Sequence, residues 1–105
     1  MIYNRSNGKA ILQNPAATGI MLQSNEKCEY VYLAVNPHAK IEKHALSIPV
    51  TFFVIHGSGE LILDGTVYSV TKCDLVEVAA DVPREWINTT DSTLEVLVIK
   101  HLKNA

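Results

Sequence analysis

Short runs of β-branched and aromatic residues recur along this chain, separated by turn-forming residues. The runs are Tyr30 to Val35, Thr51 to Ile55, Glu60 to Leu63, Val67 to Val70, Leu75 to Val78 and Leu94 to Ile99. Their length and composition predict strands. Pro37, Pro49, Gly57-Ser58-Gly59, Asp64-Gly65 and Val82-Pro83 punctuate them. Asp64-Gly65, between Leu61-Ile62-Leu63 and Val67-Tyr68, predicts a tight hairpin, because both central residues of such a turn need positive φ. No helical period of ten or more residues interrupts this rhythm, and no repeat or low-complexity tract is present. An all-β sandwich or small barrel is the natural closure.

The first 25 residues are less regular, with apolar clusters at Ile11-Leu12 and Ile20-Met21-Leu22 separated by Asn, Pro, Ala and Gly. They read as an N-terminal arm ahead of a single β-barrel domain over 26–105. Such an arm can supply edge strands to its own sheet or to that of a second copy, or remain a loosely ordered terminus.

Composition narrows the class without naming a function. A chain of 105 residues, 48% hydrophobic and 19% charged, is an ordinary globular domain with one core. No apolar run approaches the ~20 residues needed to cross a bilayer. The opening Met-Ile-Tyr-Asn-Arg lacks a basic region followed by an apolar core, so a cytoplasmic location is expected by default, with no membrane partner. Nine Lys and Arg against eleven Asp and Glu, scattered along the chain, argue against nucleic acid. Cys28 and Cys73 lie 45 positions apart and read as free thiols.

From His38 to Asn88 the spacing resembles the cupin superfamily, whose two signature motifs frame a metal site in a small jelly-roll barrel. The first motif runs glycine, five residues, His-x-His, three residues, glutamate, six residues and glycine. On this chain those positions hold His38, His44, Leu46, Val50 and Gly57. The second runs glycine, five residues, proline, one residue, glycine, two residues, histidine, three residues and asparagine. Here they hold Cys73, Ala79, Asp81, Arg84 and Asn88. Both motifs fit without a gap, and the hairpin from Leu61 to Val70 fills the space between them. The resemblance implies a cupin-type double-stranded β-helix and a homodimer, since the family commonly packs barrels face to face.

The resemblance places the metal ligands at His44, Leu46, Val50 and Arg84, and of these His44 alone can coordinate. Leu and Val have no lone pair to offer, and a guanidinium brings a fixed positive charge. No metal and no cofactor are therefore expected. A rebuilt site using His38, His44 and His56 is a weaker alternative, because two of the three fall at strand ends.

In that register, strand alternation directs Glu42, His44 and Leu46, then Val50, Phe52, Val54 and His56, then Arg84, Trp86 and Asn88 toward the interior. The candidate ligand-binding residues are His44, Arg84, Trp86, Phe52, Leu46 and Val50. Arg can clamp a carboxylate or phosphate while Trp offers a flat face, which suits a small polar or anionic ligand. Plainer roles exist for each: Arg84 in rim ion pairs with Asp81 or Glu85, Trp86 as core filler, Glu42 exposed and paired with Lys40 or Lys43. The alternative to a binding module is a metal-independent isomerase or epimerase with His44 as general base and Glu42, Tyr30, Tyr32 or Tyr68 as proton partner.

Overall fold

The computed structural model describes residues 1–102. Its ten strands are β1 (Lys9–Gln13), β2 (Ala17–Ser24), β3 (Cys28–Val35), β4 (Lys40–His44), β5 (Val50–His56), β6 (Ser58–Leu63), β7 (Thr66–Thr71), β8 (Leu75–Val78), β9 (Arg84–Ile87) and β10 (Leu94–His101). All strand pairs are antiparallel. They form a six-stranded sheet in the order β1-β2-β3-β10-β5-β8 and a four-stranded sheet in the order β4-β9-β6-β7. Every run singled out by its composition lies within one of these strands, and no helix occurs among the described residues. The all-β jelly-roll expectation holds.

Alternation puts one face of each sheet inside. Val31, Leu33 and Val35 of β3, Val50, Phe52 and Val54 of β5, and Leu94, Val96 and Val98 of β10 are buried from the large sheet. Leu61, Val70 and Trp86 meet them from the small one. Each of these side chains contributes roughly 1.5–3 kcal/mol on leaving water, which sets the strand register, because a one-residue slip would turn every one of them outward.

The N-terminal arm forms β1 and β2, and β2 pairs with β3 along its whole length. Ala17 is fully buried, and Leu12 packs against the core. The arm also crosses the outer face: Arg5 lies 4.8 Å from the centre of the Tyr32 ring and donates to its hydroxyl.

Backbone conformation fixes the register of the motifs independently of side-chain identity. Among the described residues six have positive φ. Two are Asp64 (48°) and Gly65 (85°), the tight hairpin between β6 and β7. The other four are His38 (58°), Gly57 (84°), Cys73 (75°) and Asp81 (67°). These four are the positions where the two cupin motifs carry glycine, the residue that enters the left-handed region without steric penalty. Three of the glycines are gone, yet the turns that need them remain. Hydrogen bonds hold two of these turns: the Cys73 amide donates to the Val54 carbonyl at 2.8 Å and the Asp81 amide to the Leu46 carbonyl at 2.7 Å.

Candidate functional site

A cavity of about 210 Å³ lies between the two sheets at one end of the barrel. Phe52, Val98 and Leu33 line it from the large sheet, Trp86, Arg84 and Ile41 from the small one, and β1 adds Ile11 and Leu12. Phe52 and Trp86 meet edge to face, with ring centres 5.1 Å apart and planes at 83°. That packing holds the two rings as one rigid wall.

Of the expected ligand-binding residues, the structure brings His44, Leu46, Phe52, Arg84 and Trp86 to this cavity. Val50 is a correction. It is buried in the core cluster and does not line the cavity; at that register its β10 neighbour Lys100 supplies the wall.

Glu42 takes its plainer role, exposed beside Lys40, and the inward direction that alternation gave it fails because of a bulge. Ile41 pairs with Trp86 and His44 with Arg84, so three residues of β4 span two of β9. The extra residue breaks the period of two, so that Ile41 and His44 both reach the cavity. Glu42 is exposed and pairs with Lys40 at 3.7 Å. His44 is exposed at the cavity mouth, with its Nδ1 3.2 Å from the Glu42 carbonyl.

Arg84 is the unusual member. Its side chain is 2% exposed, and its Nη1 is buried with no hydrogen-bond partner among the described residues. Among the described residues no carboxylate forms an ion pair with it. Neither Asp81 nor Glu85 does so, and the rim-pair role expected as the plain alternative is absent. The guanidinium carbon stands 5.8 Å from the centre of the Phe52 ring, within cation–π range. Burial pulls the Arg84 pKa below its ordinary value, while the group stays charged at neutral pH. A buried charge without a counter-ion costs several kcal/mol.

The remaining charged residue of the wall is Lys100, which pairs with Glu29 at 3.0 Å. Sequence reasoning missed it, although Val96, Val98 and Lys100 lie two apart on one strand and share a face.

The donor set does not fit a metal. Leu46 and Val50 carry no donor atom, and Arg84 places positive charge where a cation would sit. The rebuilt histidine site fails on geometry: His38 lies at the far end of the barrel, 2.5 Å from Asp91, and His56 is exposed beside Glu95. Among the described residues no three His, Cys, Asp or Glu side chains converge.

The proposed proton partners point elsewhere. Tyr32 donates to Glu95 on the outer face of the large sheet, and burial, then the Glu95 carboxylate, raises its pKa. Tyr30 shares that face by alternation, and Tyr68 is exposed on β7.

The cupin-domain family model matches residues 30–100. The chain belongs to the cupin superfamily. Among solved structures this cupin is similar to the polyketide cyclase RemF from Streptomyces resistomycificus, at 18% identity and a TM-score of 0.83 over 98% of this chain and 80% of that one. It is also similar to an RmlC-like cupin from Shewanella frigidimarina, at 16% identity and a TM-score of 0.82 over 94% and 87%. A cupin-2 domain protein from Rhodospirillum rubrum gives 16% and 0.83 over 100% and 76%. At these identities the likeness establishes the fold alone. No curated protein matches the chain by sequence.

Proposed function

We propose that this cupin domain is a metal-free binding module for a small anionic ligand held in the barrel cavity. The observation that carries the reading is Arg84, a buried guanidinium on the cavity wall whose Nη1 has no hydrogen-bond partner. Folding keeps this charge out of water with no carboxylate beside it, and a bound anion would supply the missing partner through charge-assisted hydrogen bonds. Phe52 and Trp86 then serve as a rigid apolar surface, and His44 as a contact at the mouth.

A metal-independent isomerase with His44 as base has one observation in its favour, the position of His44 at the cavity mouth opposite Arg84. None of its expected proton partners, Glu42, Tyr30, Tyr32 and Tyr68, lines the cavity. A thermal-shift screen of chelator-treated protein tests the binding reading, because a ligand that prefers the folded state raises its apparent stability. Carboxylates or phosphates should raise Tm in the native protein and lose that effect in Arg84→Gln. A rise produced by divalent metals alone would overturn the proposal.

A further inference from the structure

We infer that the ligand is an apolar monocarboxylate about the size of benzoate. This rests on the anion-binding reading above and narrows it by volume, charge count and wall chemistry.

Volume comes first. A cavity of about 150 Å³ lined by Leu, Ile and Phe admits benzene, so 210 Å³ admits one ring, or a chain of equal bulk, together with a carboxylate. A nucleotide exceeds that space.

Charge count comes second. Among the described residues three ionisable side chains line the cavity: His44, Arg84 and Lys100. Lys100 is engaged by Glu29, and His44 is exposed at the mouth. One buried, uncommitted cation faces the space, and it matches one negative charge. A second anionic group on the same ligand would be desolvated without a partner.

Wall chemistry is the third constraint. Apart from those three residues the lining is Ile, Leu, Val, Phe and Trp, with no hydroxyl or amide side chain among the described residues. Most hydroxyls of a sugar or polyol entering here would lose hydrogen bonds to water with few partners on the wall to replace them. The wall therefore selects against polyhydroxylated acids, as the buried charge selects against neutral rings.

Trp86, the one tryptophan in the sequence, lies on the cavity wall and reports occupancy by its fluorescence, excited above the absorption of the probes. The full chain is titrated with benzoate, cyclohexanecarboxylate, benzamide, quinate and inorganic phosphate. Benzamide removes the charge from benzoate at nearly constant shape, and quinate adds hydroxyls to cyclohexanecarboxylate. The expected result is binding of both apolar acids at least about tenfold tighter than benzamide, quinate or phosphate.

Quinate or phosphate binding as tightly as benzoate, with the response lost in Arg84→Met, would overturn the apolar-acid assignment and leave the anion reading intact. Equal binding of benzoate and benzamide would overturn both. Absence of binding by either apolar acid would overturn the assignment as well. The benzoate and benzamide comparison uses the native protein alone, so it stands even where a variant fails to fold.

Discussion

Arg84 and Asn88 lie four residues apart, at the start of β9 and just past its end, and they are the two polar side chains buried among the described residues. Their surroundings are opposite. The Asn88 side-chain amide donates to the carbonyls of Val35, Asn36 and Ser92 at 2.8–3.2 Å, and its oxygen accepts from the Thr90 amide and hydroxyl. Arg84 Nη1 has no hydrogen-bond partner among the described residues. A buried polar group that is fully satisfied ties loops together and closes its end of the barrel. One that is unsatisfied lowers stability and calls for an explanation, which under our proposal is a bound anion. The same strand thus carries a satisfied buried polar residue at one end and an unsatisfied one at the other.

Four substitutions would break or sharpen this contrast. Asn88→Ala should have the largest effect, because it strands three carbonyls and the Thr90 amide in the closed end. A loss of about 3 kcal/mol, near 15 °C in Tm, is expected from thermal or urea unfolding. Gly57→Ala acts at the same end: φ is +84°, and a Cβ would stand 2.7 Å from the Thr93 carbonyl oxygen. Left-handed strain plus this contact should remove about 2 kcal/mol, read the same way.

Arg84→Met should move stability in the other direction. Replacing an uncompensated buried charge by an apolar side chain of similar length should raise stability by about 1–2 kcal/mol in denaturant titration. His44→Ala, at the exposed mouth, should change stability by less than about 0.5 kcal/mol and reduce carboxylate affinity by less than about tenfold. If His44→Ala instead abolished a turnover while leaving affinity unchanged, the isomerase reading would replace the binding one.

The closed end was more legible in the sequence than the open one. Gly57 and Asn88 keep the residue types of the cupin motifs, and their roles are set by backbone geometry that the spacing already marks. At His38, Cys73 and Asp81 the residue types are lost but the positive φ values persist, which is why spacing was a better guide than identity. The six strand runs were readable because β-branched and aromatic residues alternate in them. The short strands β4 and β9 have weaker composition and emerged from motif register alone.

At the open end, alternation failed where β4 bulges. No Gly or Pro marks the step between Ile41 and His44, so counting by two points Glu42 inward, against its reading as an exposed partner of Lys40, and overlooks Ile41. The pairing state of Arg84 was likewise invisible, since neighbouring Asp81 and Glu85 in sequence suggested partners that the fold turns away. Leu33 and Lys100 joined the cavity through pairings with high sequence separation, which one-dimensional patterning does not resolve.

The central claim is that the Arg84 guanidinium is kept free for an external carboxylate. Its most direct test is the Nε–H resonance of Arg84 in a ¹H–¹⁵N spectrum, assigned by its loss in Arg84→Met and followed while benzoate is added. The account predicts a saturable shift of this resonance together with the Trp86 indole signal, at the same midpoint. A saturable response elsewhere in the protein with the Arg84 resonance unmoved would contradict it.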